Sequence, residues 1–182
     1  MSKVSIVFHS GYGHTKVVAE AVARGVASVP GVEAVLIPVD EIESHWRTLE
    51  ASDAIAFGSP TYMGNVSGPF KTFMDQSSKA WFEQKWKDKL AAGFTISGSP
   101  SGDKLNTIQS LMIFAMQHGM IWVGNAETIQ PEGINRLGSF SGVMAQAGQV
   151  PPEQEPNEAD RATAEALGRR LAEATRRWAK TA

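Results

Sequence analysis

The sequence contains no cysteine, which excludes disulfides, thiol nucleophiles and thiolate metal sites. Lys and Arg number 17 against 19 Asp and Glu, a formal net charge of −2, so the basic excess typical of nucleic-acid binding is missing. No apolar run approaches the roughly 18 residues that would span a bilayer, and no basic and apolar leader precedes the first strand. We therefore expect a cytoplasmic globular protein with a single domain over residues 1–182.

Short apolar runs alternate with helical patterns along the chain. We predict strands over residues 4–8, 32–39, 53–57, 90–96 and 120–123. We predict helices over residues 14–29, 69–77, 107–117 and 157–178, with a short helical or irregular connection over 40–50. Because nearly every strand residue is apolar, the strands should be parallel and covered on both faces. The pattern therefore predicts an α/β fold, a doubly wound sheet of five parallel strands in the order 2-1-3-4-5 with helices on both faces.

Local signals refine this pattern at three places. Gly58-Ser-Pro60 is expected to end the third strand, and Asn157 is expected to cap the last helix. Between residues 124 and 156 the chain has five glycines and four prolines. We expect a loop insertion there, and a loop of this length in a compact domain is usually functional or mobile.

The first predicted strand runs into Ser10-Gly-Tyr-Gly-His-Thr15, directly before a helix. Free backbone N–H groups, the positive end of the helix dipole and two hydroxyls suit such a loop to a phosphate. Lys16 stands where the third glycine of a dinucleotide fingerprint belongs, and Thr15-Lys16 reverses the order of a P-loop. Asp40 after the second strand is a partial match to a ribose-binding acid. The loop thus predicts a phosphate site outside the nucleoside triphosphatases, with a simple strand–helix turn as the alternative.

Two further loops follow predicted strands and should meet the first loop at the same edge of the sheet. Ser59-Pro-Thr-Tyr-Met-Gly-Asn65 combines an aromatic ring, a thioether and small residues, a surface that suits a planar heterocycle. Ser97-Gly-Ser-Pro-Ser-Gly102 offers backbone and hydroxyl donors, which would favour negative charge on a reduced flavin. Either loop alone could be an ordinary turn. Together the three loops predict a site for flavin mononucleotide, FMN.

Four motifs can be compared with a known group: Ser10–Thr15, Phe57–Asn65, Phe73-Met-Asp-Gln76 and His118-Gly-Met120. In these motifs, in residues 136–142 and in the final helix, the chain resembles the flavodoxin-like quinone reductases of the WrbA family. The resemblance implies a flavodoxin-like fold, FMN as cofactor, and two-electron reduction of quinones by NAD(P)H. It also implies a homo-oligomer, either a dimer or a tetramer.

By position, the resemblance assigns FMN contacts to three groups of residues. The phosphate would be held by Ser10, Gly11, Tyr12, Gly13, His14 and Thr15. The ring would be held by Pro60, Thr61, Tyr62, Met63, Gly64 and Asn65. The pyrimidine edge would meet Ile96, Ser97, Gly98, Ser99, Pro100 and Ser101. Trp81 would wall the space over the flavin where nicotinamide and quinone take turns, and Tyr12 would lie near the nicotinamide.

The chain departs from the family pattern at two places. Gln117 replaces the first of two paired histidines, so His118 alone remains as a possible flavin contact. The segment between the second and third strands is shorter than in typical members. This difference weakens the inference that the chain forms the family's tetramer. Core packing is the alternative for Trp81, and a structural role is the expectation for His118.

These features favour an enzyme that uses small molecules, a quinone and a nicotinamide, with neither nucleic acid nor membrane as partner. We expect no catalytic side chain and no metal site, because hydride transfer to a flavin needs no protein acid or base at the reacting atom. The alternative is a flavodoxin-type electron carrier without its own turnover. Such carriers are commonly strongly acidic, whereas this chain has a formal charge of −2. A regulatory binding module is a third possibility.

Overall fold

The structure, a computed structural model, describes residues 1–179 and contains a central parallel sheet. Its strands are β1 (Ser2–Phe8), β2 (Val32–Pro38), β3 (Ala54–Tyr62), β4 (Asn65–Val66), β5 (Leu90–Ser97), β6 (Ile121–Trp122) and β7 (Val143–Gln146). Its α-helices are α1 (His14–Ala27), α2 (Trp46–Glu50), α3 (Gly68–Gln76), α4 (Ser78–Phe82), α5 (Lys104–Gln117) and α6 (Glu158–Ala179), and a 3₁₀ helix covers Val39–Ser44. The main strands lie in the order β2-β1-β3-β5-β6 and pair in parallel. This confirms the predicted doubly wound, flavodoxin-like arrangement.

Two apolar cores cover the two faces of the sheet. Strand residues alternate between them, as a period of two requires: Ala54 and Ala56 of β3 join one core, whereas Ile55 and Phe57 join the other. The first core packs the sheet against α1 and α6, and the second packs it against α3 and α5. Burial on both faces explains why the central strands β3 and β5 contain no charged residue.

The third strand is longer than predicted, because β3 continues through Gly58, Ser59 and Pro60 to Tyr62. The expectation that these residues end the strand was wrong. β1 ends with Phe8 opposite Gly58, so Pro60 pairs with β5 alone and lies beyond the end of its other neighbour. β3 then turns back into β4 through Met63 and Gly64, which both have positive φ angles, 48° and 79°. Two such residues are the requirement of a tight hairpin turn.

The fifth strand is interrupted. β6 pairs with the start of β5 and β7 pairs with its end, both in parallel. The region expected to be a loop over residues 124–156 therefore contains a strand, and β7 was not predicted. Gly142 allows β7 to approach, because a Cβ there would lie 2.6 Å from the carbonyl oxygen of Gly93.

The last helix begins as predicted. The side-chain Oδ1 of Asn157 accepts a hydrogen bond of 3.0 Å from the amide of Asp160, three residues on, which is the pattern of an N-cap. Within residues 1–179, none of the helices is long and apolar enough to cross a membrane.

Candidate functional site

A cavity of about 880 Å³ lies where β1, β3 and β5 end. This edge is the position expected for the ligand of a doubly wound sheet, and the volume is typical of a small-molecule site. The cavity brings parts of the three predicted loops together with a fourth segment. Its lining residues are Tyr12, His14, Thr15, Pro60, Tyr62, Ile96, Ser97, Gly98 and residues 147–151.

The phosphate loop presents a row of free donors. Within residues 1–179, the backbone N–H groups of residues 11–15 have no protein acceptor. Ser10 accepts a hydrogen bond of 3.0 Å from the amide of Lys16, which leaves its own hydroxyl hydrogen free. Because these donors lie at the positive end of α1, the set fits the phosphate of FMN.

The loop is held in place by the segment after β7. Gly13 has a φ of 91°, and a Cβ on it would lie 2.8 Å from Cγ of Pro152. His14 Nε2 lies 2.8 Å from the carbonyl oxygen of Val150, and because a carbonyl can only accept, this nitrogen carries the hydrogen. His14 therefore positions the loop against the far wall of the cavity.

The first and second loops together form an aromatic platform. Tyr12 and Tyr62 meet edge to face, with ring centroids 6.3 Å apart. Tyr12 is 78% exposed and Met63 is fully exposed. Burial raises the pKa of Tyr62, with a further contribution from Tyr12, so its phenol remains a neutral donor at physiological pH. A planar ring fits such a surface.

The rest of this loop is anchored to α5. Thr61 is buried, and its hydroxyl lies 2.8 Å from the hydroxyls of both Thr95 and Thr107, so its side chain points away from the cavity. Asn106 donates to the carbonyl of Gly64, and Ser110 donates to Asn65 Oδ1, each at 2.8 Å. The hairpin can therefore offer a ligand the backbone of Thr61, but not its side chain.

The third loop is built around a buried lysine that sequence reasoning missed. Lys104 Nζ donates to Ser97 Oγ and to the carbonyls of Ser99 and Pro100. Burial lowers the pKa of Lys104. Within residues 1–179, the N–H groups of residues 98, 99 and 101 have no protein acceptor. Of these residues, Gly98 lines the cavity and Ser101 lines another one. Free N–H groups of this kind suit the pyrimidine edge of a flavin.

Trp81 and His118 do not line this cavity. They line a second one of about 430 Å³, together with Met74, Ser77 and Ile113. His118 is buried, its Nε2 lies 2.9 Å from Ser77 Oγ, and its Nδ1 has no partner among the described residues. Burial lowers its pKa to about 4. Within one chain, the structure keeps both residues apart from the phosphate loop.

Sequence reasoning also missed residues 147–151, the fourth wall of the cavity. The signal available was the pair of prolines at 151 and 152 in the Gly/Pro-rich region. Their place beside the phosphate loop depends on β7, which the sequence did not reveal.

Comparisons with known proteins identify the family of the chain. Residues 9–133 match a family model described as NADPH-dependent FMN reductase. The chain is 40% identical over 157 residues to flavodoxin FldP of Pseudomonas aeruginosa, covering 81% of this chain and 82% of that protein. It is 34% identical over 200 aligned positions to an NAD(P)H dehydrogenase (quinone) of Syntrophobacter fumaroxidans, covering 96% and 98%.

A solved structure is similar in fold over nearly the whole chain. The flavodoxin, WrbA-like protein from Agrobacterium tumefaciens superposes with a TM-score of 0.78 and 42% sequence identity, covering 97% of this chain and 99% of that chain. The family match spans more than half of the sequence. The chain therefore belongs to the NADPH-dependent FMN reductase family, as a WrbA-type oxidoreductase that uses FMN and NAD(P)H.

Proposed function

We propose that this protein transfers two electrons from NAD(P)H to a quinone. The observation that carries the proposal is the lining of the cavity, which combines free phosphate donors with an exposed aromatic platform beside them. A ring laid on Tyr62 would keep one face open toward Tyr12 and Met63, where a second planar molecule could stack. Relatives named NAD(P)H dehydrogenase (quinone) support the choice of acceptor.

The residues of the chain would bind and orient rather than react. Bound FMN would supply the hydride and electron chemistry. The amides of residues 11–15 would hold its phosphate, and the amides of residues 98, 99 and 101 would face its pyrimidine edge. Tyr12 would lie against the nicotinamide, and residues 147–151 would limit the access of water.

The test is quinone-dependent oxidation of NADPH. FMN-loaded protein mixed with NADPH and benzoquinone should oxidise NADPH only when both the quinone and FMN are present. The protein stripped of FMN is the control. Reduction of bound FMN by a partner flavoenzyme, with no NADPH oxidation in the quinone assay, would instead identify an electron carrier, the function that the flavodoxin relative suggests.

We further propose that the protein is a homo-oligomer. Trp81, Phe82, Ile113 and Met116 are large, exposed and apolar, and they line two adjoining cavities that share Trp81. Exposed apolar surface of this kind marks interaction sites. Since Trp81 does not line the flavin cavity of its own chain, a role over the flavin would require a second copy. Light scattering after gel filtration should give a dimer or tetramer, and a monomer at all concentrations would contradict the proposal.

A further inference from the structure

The loop expected at the pyrimidine edge is built on a buried cation. Lys104, in the first turn of α5, is 1% exposed. Its Nζ lies 2.9 Å from Ser97 Oγ, 2.8 Å from the carbonyl oxygen of Ser99 and 2.9 Å from that of Pro100. The Ser97 hydroxyl gives its own hydrogen to the Ser99 carbonyl at 3.0 Å. Three acceptors around one nitrogen require three N–H groups, so the geometry requires the charged ammonium rather than the neutral amine.

This charge is incompletely balanced by its neighbours. Asp160, 1% exposed, is the carboxylate that stabilises the Lys104 ammonium, while Arg136 opposes it. The Asp160 carboxylate accepts hydrogen bonds from Nε and Nη2 of Arg136, at 2.8 and 2.9 Å. Asp160 pairs with Arg136, and within residues 1–179 no carboxylate lies within 4 Å of Lys104 Nζ, so the formal charge of the three groups is +1. Such a group beneath a binding loop would attract an anion in the cavity.

The lysine also fixes the direction of the loop's peptides. In a trans peptide the carbonyl and the N–H point in opposite directions. Because the Pro100 carbonyl faces Lys104, the N–H of Ser101 points away from it. The Ser97 carbonyl is held by the amide of Ala147 at 3.1 Å, which turns the N–H of Gly98 the other way. Both N–H groups are left free for a ligand.

We propose that Lys104 is a positioning residue that makes the site favour reduced over oxidised FMN. Addition of a hydride from NAD(P)H brings two electrons and one proton to the ring, so reduced FMN carries one more negative charge and NAD(P)⁺ leaves with one more positive charge. The ammonium and the amides it orients stabilise this extra charge at the pyrimidine edge. The proposal depends on FMN binding in this cavity and is independent of the electron acceptor.

The test compares two lysine-to-methionine variants. K104M removes the charge and keeps an unbranched side chain of similar length. K89M is the matched control, because Lys89 also donates to backbone carbonyls, those of Glu50 and Ser52, but both carbonyls lie outside the loops that meet at the cavity. The measurement is the midpoint potential of bound FMN, obtained by redox titration without any quinone, together with the Kd for oxidised FMN.

K104M should weaken the binding of reduced FMN at least tenfold more than that of oxidised FMN, which lowers the two-electron potential by about 30 mV or more. K89M should leave the potential unchanged. K104R, which keeps the charge, should have a potential close to that of the wild type. Equal weakening of both FMN forms in K104M, or an unchanged potential, would overturn the proposal. If K104M does not fold, K104Q, which keeps two donors without the charge, carries the same expectation.

The two proposals fail separately. A wild-type protein that reduces quinone, with a potential insensitive to residue 104, would refute the role of Lys104 alone. A wild-type protein that binds FMN with a Lys104-dependent potential but does not reduce quinone would refute the proposed acceptor alone.

Discussion

Gly13 is the residue at which the phosphate loop turns into α1. Its φ of 91° lies in the left-handed region, where a residue with a side chain costs about 1–2 kcal/mol. A Cβ would also lie 2.8 Å from Cγ and 3.1 Å from Cβ of Pro152. A side chain at this position would therefore strain the backbone and push the loop away from residues 147–152.

We expect G13A to weaken FMN binding by about 10- to 100-fold, since a strain of about 1–3 kcal/mol falls on the loop that holds the phosphate. G31A is the matched control: Gly31 has a φ of 82°, but a Cβ there would meet nothing within 4 Å. It should lower the free energy of unfolding and leave FMN affinity unchanged. Fluorescence titration with FMN measures both variants, and wild-type affinity in G13A would contradict a phosphate site at this loop.

At the level of elements, α1 and α6 pack backbone against backbone. A Cβ on Gly168 would overlap the carbonyl of Val22, and a Cβ on Gly25 would overlap the carbonyl of Glu165. Both glycines lie inside helices, where glycine is about 1 kcal/mol less favourable than alanine. The close approach of the two helices explains why glycine occupies these positions, and it brings α6 onto the face of the sheet that also supports α1.

G168A should destabilise the protein by about 3 kcal/mol or more, because neither backbone can yield as a flexible side chain would. Helix propensity alone predicts the opposite sign, a gain of up to about 1 kcal/mol. G68A is the matched control, since Gly68 begins α3 and has open space around it; it should be neutral or stabilising. Urea unfolding gives both values, and a G168A variant as stable as wild type would show that the two helices can separate without cost.

For the whole molecule, most of the fold was predictable because its elements are encoded locally. Apolar runs gave the main strands, and the periodicity at Phe70 and Phe73 gave a helix whose buried face the structure confirms. β7 is four residues long and is fixed by pairing with β5, which lies more than 40 residues earlier. Its neighbours Gly142 and Gly148 suggest a loop, so only the tertiary contact reveals it.

The candidate site was likewise predictable from the sequence only in part. Its three loops follow strands, so their meeting at one edge of the sheet follows from topology. Lys104 was missed because a lysine in the first turn of a helix usually faces solvent; a carboxylate that stabilises its ammonium, Asp160, lies 56 positions later in the chain. Thr61 was expected to hold the ring, but its hydroxyl forms hydrogen bonds that link β3 to β5 and α5. These are long-range relations that a local pattern does not contain.

The stability of the molecule should fall in mild acid, because burial lowers the pKa of two histidines. Burial between Trp86 and Phe114 lowers the pKa of His118 from 6.5 to about 4, and burial also lowers that of His9, against the attraction of Asp40. Below pH 6.5 the unfolded chain binds protons at these positions that the folded chain does not. The free energy of unfolding therefore has its full value above pH 6.5 and decreases as the pH falls toward 4.

His118 should account for about 2 kcal/mol of this loss, allowing for solvent screening. H118F replaces the ring by one that cannot titrate and suits the aromatic neighbours, so its free energy of unfolding should vary less between pH 7 and 5 than that of wild type. H45Q, which alters a half-buried histidine outside the aromatic cluster around His118, should follow the wild-type curve. Urea unfolding across this range decides the question: parallel curves for wild type and H118F would mean that the buried ring accepts a proton without loss of packing, and that the acid sensitivity of the fold lies elsewhere.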